Sequence, residues 1–554
     1  MRMGLLTEGG YPYVSGDAGL WCDRLVRGLE QHEFDVYALG HGPRQEAGNR
    51  RVPLPPQVRR VRTAPPWTAE EPAYGRRARR RFAECYEELA GAVCAGAGTA
   101  GNVPGTEAPV AAGNLADRFG SALYGLAELA RDKGGLGGAL RSDIAVRALE
   151  RACRAPRALC TAHEARVSDL LTIAAHLERA LRPLSLDWYD DDALGAADLC
   201  HATTGGPPAL CGLLARHFHG VPLLVTEYVV HLRTHYLTSG PHTAAPAVRA
   251  VLAAFHGRLT AEVYRAAALL TAGDAHARRW QERCGADRAR IRTVYPGTAP
   301  EPYAEAGEST PWTDPDTLVW AGPVHPAKDL ETLLHAFAEV RREEPKTRLR
   351  VVGAPSGTEG AAYLGHCREL AARLFPGGTE GDRPVSFEET GAPDAYAAGA
   401  VVVHSGGADG FPAGLVEAML SGRATVSADV GAVAEVIGGT GLVVPPYDPR
   451  ALAEACVVLL RDPERRARLG AAARARALEL FTAERNIAAF HGIYLEIVSR
   501  CPVRRAAPDE PRPFAAPAES LGAGHWTGPA DRVLPRGVPA WAADTTRPSV
   551  EEAR

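Results

Sequence analysis

The run Val401-Val-Val-His404-Ser-Gly406-Gly-Ala-Asp409-Gly-Phe-Pro412-Ala-Gly414-Leu-Val-Glu417-Ala-Met-Leu-Ser-Gly422 reads as a strand, a glycine-rich loop and a helix start in succession. Three valines running into His404 suit a strand buried on both faces, as in parallel sheets. Pro412 stands at the favoured first position of a helix. The first turn then offers the N–H groups of Ala413, Gly414 and Leu415, which together with the helix dipole suit a phosphate. Glu417 comes about one turn later, where a carboxylate accepts two hydrogen bonds from a ribose diol. Asp409, on the loop, is placed to face a sugar. The same residues also suit an ordinary strand–helix junction with a surface glutamate.

Outward from this run the strand–helix alternation repeats. Strands are expected at 317 to 321, 348 to 353, 384 to 387, 400 to 404, 424 to 427 and 441 to 444, separated by helices. That order predicts a doubly wound sheet with its ligands at the carboxyl ends of the strands. The chain also opens on a βαβ pattern: a strand at 2 to 8, a glycine loop to Gly19, a helix from Leu20 to Leu29 and a strand at 34 to 39. Further strands are expected at 198 to 202, 222 to 226, 268 to 272 and 291 to 295. The fold class is therefore α/β, with two Rossmann-like doubly wound domains facing across a cleft.

The expected organisation is an N-terminal domain over 1–300, a C-terminal domain over 305–482, a helix over 483–501 returning to the N-terminal domain, and a disordered Pro- and Ala-rich tail over 502–554. Residues 41–150 read as an insertion: a Pro- and Arg-rich start, a basic helix at 76 to 94, and a Gly- and Ala-rich stretch at 95 to 140 with little periodicity and poorly ordered parts. Pro and acidic residues at 300 to 316 read as a linker.

At 554 residues the chain exceeds one core, in agreement with two domains. A net charge of −4, with 46% apolar and 23% charged residues, describes a globular protein and gives no support to a nucleic-acid partner. Eleven cysteines without a C-x-x-C read as buried thiols of a reducing compartment. No apolar run approaches the ~20 residues of a membrane helix, and the first residues do not form a signal peptide, so a cytoplasmic location is expected. Arg76, Arg77, Arg79, Arg80 and Arg81 suit either peripheral contact with anionic lipid at the inner face of a membrane or a solvated helix.

Basic charge is carried almost wholly by arginine, which singles out Lys328 in Ala321-Gly322-Pro323-Val-His-Pro326-Ala-Lys328-Asp329. A cation at this strand–turn–helix junction suits a diphosphate, whose charge it stabilises. A solvated lysine at a helix start is the alternative, although the helix dipole disfavours it. His231 and His235 have the i, i+4 spacing of a metal pair without an acidic ligand nearby, so no metal and no cofactor are expected. Asp190-Asp-Asp192 lies away from any strand end and reads as a helix-capping cluster.

Asp409 and Glu417, eight residues apart, resemble the signature of glycosyltransferase family 4, which has two glutamates at that spacing. Ala424 to Glu435 and Gly441 to Pro449 resemble the segments that come after that signature in the family. Thr7-Glu8-Gly9-Gly-Tyr11-Pro12-Tyr13 with Gly16-Asp17, and Thr226-Glu227-Tyr228 with Arg233, resemble the PelF-type, exopolysaccharide-building branch. The resemblance implies a GT-B fold and metal-independent, retaining transfer of a hexose from a nucleotide sugar, with a uridine donor and glucose favoured, to a saccharide or other acceptor. It implies catalytic roles for Lys328, Asp409 and Glu417. Donor contacts fall on Gly16, Arg233, Gly322, Pro412, Ala413, Gly414 and Leu415, and the cleft or acceptor side on Asp17, His201 and Tyr228, with His201 either lining the cleft or packing under it. The sequence departs from the family at Asp409 (usually Glu), Pro323 (usually Arg), Tyr228 (usually His) and Asp17 (usually Gly). These departures leave two rivals open: a non-catalytic nucleotide-sugar-binding protein and a GT-B-type nucleotide-sugar epimerase.

Overall fold

The valine- and leucine-rich runs build two wholly parallel sheets in the computed structural model, which describes residues 1–9, 11–13, 17–40, 53–64, 74–96, 108–238, 244–308, 314–376, 383–389, 391–406 and 410–503. The first sheet comprises β1 (Arg2–Glu8), β2 (Glu33–Leu39), β3 (Val58–Thr63), β4 (Leu199–Ala202), β5 (Leu223–Glu227), β6 (Leu269–Ala272) and β7 (Ile291–Thr293), in the order β3-β2-β1-β4-β5-β6-β7. The second comprises β8 (Thr317–Ala321), β9 (Arg348–Val352), β10 (Val385–Glu388), β11 (Val401–His404), β12 (Ala424–Ala428) and β13 (Leu442–Val444), in the order β10-β9-β8-β11-β12-β13. Each order reverses once, between β1 and β4 and between β8 and β11. A crevice opens at such a point because the flanking loops leave to opposite faces.

Helices cover both faces of both sheets, which is why the strands are apolar throughout rather than alternating. Leu5, Val36 and Leu224 pack under helix Asp17–Gly28 and helix Ala483–Arg500, whose Phe490, Ile493 and Tyr494 are buried there. The last helix thus closes the first sheet although it follows the second in sequence. Between the sheets the chain crosses twice, and the two crossings pair with each other: Thr298 N donates to Phe481 O at 2.9 Å and Ala483 N to Thr298 O at 3.1 Å.

Several stretches differ from the sequence reading. β3 lies within 41–150 and pairs with β2, so the sheet continues into the stretch read as an insertion. The residues at 108 to 133 form one long helix, Ala108–Lys133, which with helices Arg76–Cys94 and Asp143–Arg154 adds a helical layer to the first core. Its buried Phe119, Leu123, Leu126 and Ala130 do follow helical spacing. The signal is faint because alanine and glycine occupy both faces. Within 300–316, helix Glu301–Glu308 replaces a plain linker. Asp191 and Asp192 cap no helix: they face His219 at 3.3 Å and Arg60 at 3.7 Å. The tail read as disordered lies outside the described residues from 504 onward.

Candidate active site

The loops after β8 and β11 meet at the reversal point of the second sheet. Gly322 leaves β8 at φ +153°, a conformation open to glycine, and its carbonyl packs against Gly353 at the end of β9. A short 3-10 turn, Pro326–Lys328, follows, with His325 Nδ1 accepting from Ala327 N at 3.2 Å. Asp329, at φ +48°, caps helix Leu330–Glu343 by accepting from Thr332 N at 3.3 Å. Ser405, buried just past β11, donates its Oγ to Lys328 O at 2.9 Å and ties the lysine's backbone to the neighbouring strand end. Lys328 is half-buried and Pro323 is exposed.

Helix Ala413–Leu420 begins after Pro412, as the sequence suggests. Its N–H groups are less available than expected. Ala413 N donates to Phe411 O at 3.0 Å and Leu415 N to Pro412 O at 3.1 Å, because the chain turns tightly into so short a helix. That leaves Gly414 to offer an N–H to a ligand. Glu417, half-buried one turn on, lies beside the hydroxyls of Tyr303 and Tyr396. Burial, and after it the Glu417 charge, push both phenols above their ordinary range. Tyr396 also donates to Gly414 O at 3.1 Å. The sequence reading missed both tyrosines: Tyr303 lies in the supposed linker and nothing local marks either. Asp409 and Gly16 lie outside the described residues, as does the side chain of Asp17, the first residue of helix Asp17–Gly28.

The first sheet brings its β5 and β6 ends to the same junction. A Cβ built on Gly410 would lie 3.6 Å from Val229 Cγ2, so the loop after β11 abuts the loop after β5. Glu435, at helix Val433–Ile437, accepts from Ala275 N at 2.8 Å and from Tyr295 Oη at 2.7 Å, bridging the two halves. Arg233 is half-buried on helix His231–Thr238 and close enough to His276, beside that bridge, to help burial hold the imidazole below its usual pKa. Glu227 is buried and holds the loop after β5, accepting from His231 N at 3.0 Å, Tyr264 Oη at 2.5 Å and Gln281 Nε2 at 3.2 Å.

Of the residues assigned to the cleft or acceptor side, His201 packs under the cleft and Tyr228 is half-buried. His201 is fully buried beneath the site, with Nδ1 2.7 Å from Tyr494 Oη and Nε2 2.7 Å from Thr226 Oγ1. Both ring nitrogens are thus engaged, and the residue joins the last helix to the sheet. Tyr228 turns its ring edge-on to Trp21, 5.1 Å between centroids, and its hydroxyl accepts from Asn486 Nδ2 at 3.0 Å. Asn486 also accepts from Trp21 Nε1 at 3.0 Å and donates to Tyr295 O at 2.7 Å, so one amide joins three segments at the crossing.

Burial lowers His32 and His231 to a pKa of about 4 and His201 and His256 to about 3. In the unfolded chain each takes a proton below about 6.5, so the unfolded state binds more protons and stability falls as pH falls from 6.5 toward 3. Each contributes at most ~1.4 kcal/mol per pH unit to that loss. Glu227 and Asp274, raised chiefly by burial, take up protons earlier in the folded chain and offset part of it near the carboxylate range. The expected result is a thermal midpoint several degrees lower at pH 5.5 than at pH 7.5. A midpoint unchanged across that interval would contradict neutral burial of these imidazoles. Among the described residues no group of three or more His, Cys, Asp or Glu is arranged to hold a metal ion.

Two doubly wound parallel sheets, joined by paired crossings and meeting at their loop-bearing ends, define the GT-B fold, and the sequence matches make the chain a glycosyltransferase. The chain belongs to the family described as Domain of unknown function (DUF3492), matched over residues 1–289, and carries a Glycosyl transferases group 1 domain over residues 315–462. It is similar to the D-inositol 3-phosphate glycosyltransferase of Kineococcus radiotolerans, 31% identical over 325 residues, which are 49% of this chain and 72% of the relative. The Streptomyces scabiei enzyme of the same name is 30% identical over 297 residues, 51% of this chain and 64% of the relative. Among solved structures, Anabaena HepE in complex with UDP superposes with a TM-score of 0.53 at 15% identity, over 90% of this chain and 100% of that one. Sucrose-phosphate synthase from Thermosynechococcus elongatus does so with a TM-score of 0.54 at 17% identity, over 90% and 99%. At these identities the structural likenesses establish the fold.

Proposed function

We propose that this glycosyltransferase moves a hexose, glucose being favoured, from a uridine-linked donor to a saccharide or other acceptor, with retention and without a metal. The observation that carries the reading is the arrangement around Glu417. Its carboxylate lies beside two tyrosine hydroxyls, one helical turn beyond the open N–H of Gly414, on the helix that follows β11, whose end is tethered to the turn of Lys328. In this reading Glu417 accepts the ribose diol, Gly414 N–H and Lys328 receive the diphosphate, and Asp409 orients the sugar. Arg233 and Gly322 complete the donor contacts. The UDP held by HepE, a protein of the same fold, supports the uridine donor. The names of the curated relatives support a polyol phosphate among the acceptors to be tried. The PelF-type resemblance of the N-terminal motif supports a role in exopolysaccharide synthesis.

Peripheral contact with anionic lipid through Arg76–Arg81 belongs to the same proposal. Arg80 and Arg81 are already paired with Glu84 at 2.9 Å and Glu128 at 2.7 Å, which leaves Arg76, Arg77 and Arg79 as the cations for such a surface. No helix among the described residues is long and apolar enough to cross a membrane.

A second reading, a nucleotide-sugar-binding protein without turnover, is favoured by Tyr228, whose hydroxyl is spent on Asn486. One experiment separates the two. The protein is incubated with UDP-glucose, UDP-N-acetylglucosamine or GDP-mannose and a panel of acceptors, while nucleoside diphosphate release and thermal shift are followed. Release from UDP-glucose above the others is the expected result. Thermal stabilisation without release under every acceptor supports the binding protein, and no response to any donor would sink both.

A further inference from the structure

The amino ends of β8 and β9, which lie at the opposite end of the second sheet from Gly322 and Gly414, and the whole length of the edge strand β10 border a cavity of about 830 Å³. That volume falls within the ~300–1,000 Å³ of small-molecule sites. Four arginines line it: Arg348 and Arg350 on β9, Arg383 just before β10, and Arg368 on helix Gly357–Leu374. Of these, Arg350 is neutralised by a two-pronged pair with Glu388, at 3.0 and 2.6 Å. Asp314, the other acid of the lining, spends its carboxylate on Thr317 Oγ1 at 2.6 Å and Asp316 N at 3.2 Å. Among the described residues no ion pair engages Arg348, Arg368 or Arg383.

The rest of the wall is apolar. Leu349, Phe375 and Phe387 contribute to it, and the Arg368 guanidinium stands 5.8 Å over the Phe387 ring. Among the described residues, four guanidinium groups against two carboxylates disfavour a cationic occupant, and a neutral sugar would leave the strong, fork-shaped donors of Arg348, Arg368 and Arg383 unanswered. An anion with phosphate-type oxygens answers them, and the phenylalanine wall suits a flat or apolar body joined to it.

We propose that this cavity is a second binding site, for a phosphorylated small molecule with a planar body, of the nucleoside phosphate class. Its arginines gather away from the donor end: Arg348, at the start of β9, lies ~15 Å along the strand from Gly353. β8 and β9 run directly from the cavity to the packed pair Gly322 and Gly353, so an occupant presses on the strands that carry the Lys328 loop. The site requires no transfer activity, and its test reads binding alone.

The test is calorimetric titration of the full chain with ADP, with pyrophosphate, which lacks the planar body, and with adenosine, which lacks the phosphates. Arg368→Ala and Arg383→Ala change exposed side chains and are checked for unchanged urea unfolding. A Lys328→Ala, Glu417→Ala double variant removes the proposed donor contacts. The expected result is ADP binding of equal affinity in the parent and the double variant, at least tenfold weaker in each arginine variant, with pyrophosphate weaker than ADP and adenosine silent. ADP binding unaffected by either arginine change, binding lost only in the double variant, or no heat from any probe at millimolar concentration would each overturn the proposal. Pyrophosphate binding as tightly as ADP would overturn the planar body.

Discussion

Lys328→Ala is expected to slow nucleoside diphosphate release from UDP-glucose by two to three orders of magnitude in kcat, with little change in unfolding midpoint. The physical reason is the charge that grows on the leaving diphosphate as the glycosidic bond breaks. Removing one preorganised partner of such a charge typically costs on the order of 10²–10³ in rate, about 3 to 4 kcal/mol. The substitution isolates that term because the turn is fixed by the backbone: Ser405 Oγ donates to Lys328 O, and His325 and Asp329 cap the turn and the helix after it. None of these bonds uses the ammonium. Lys328→Arg retains the charge with altered shape and is expected to recover part of the rate. Glu417→Ala should differ in kind. The ribose contact proposed for it would be made equally in the ground and transition states, so its loss is expected to raise KM for the donor more than it lowers kcat. A fully active Lys328→Ala enzyme would remove the lysine from the reaction.

Gly353→Ala is expected to be among the most destabilising single-methyl changes available, by more than ~4 kcal/mol, and to abolish donor binding with it. A Cβ at Gly353 would stand 1.8 Å from the carbonyl oxygen of Gly322, which is backbone and cannot swing aside. The residue also sits at φ +151°, where an L side chain is strained. The clash can be relieved only by moving the start of the Gly322–Lys328 loop, which is why stability and binding should fail together. Gly365, on helix Gly357–Leu374 with nothing within 4 Å of its added Cβ, supplies the control. There alanine should be neutral or stabilise by up to ~1 kcal/mol, since it is the better helix former. Urea unfolding of the two variants checks both expectations, and a stable, donor-binding Gly353→Ala would contradict the close packing of the two strand ends.

One departure from the pattern that the sequence resembles, Tyr228, takes on physical content in the structure. Tyr228 does not stand in for an imidazole at a sugar; its ring and hydroxyl join Trp21 and Asn486 at the crossing of the two halves. His201, packed under the cleft, is a buried link as well. Neither role is visible in sequence, because each depends on helix Ala483–Arg500 returning across nearly the whole chain.

The sequence by itself determined most of the strands and the parallel, doubly wound class of their sheets. Runs such as Leu5-Leu, Val401-Val-Val and Leu223-Leu-Val are apolar at every position, and burial on both faces is what a parallel sheet demands of them. It also determined the loop-and-helix start at Ser405 to Glu417, because glycine and proline act through local backbone geometry. The long helix at 108 to 133 escaped it, since alanine and glycine blur the contrast between buried and exposed faces. Only the tertiary structure decided which groups meet: Ser405 with Lys328, the two tyrosines with Glu417, Glu435 with Ala275, Asn486 with three segments. Those pairs lie up to several hundred residues apart, and a hydrogen bond between distant groups leaves no period, spacing or composition in the chain from which it can be read.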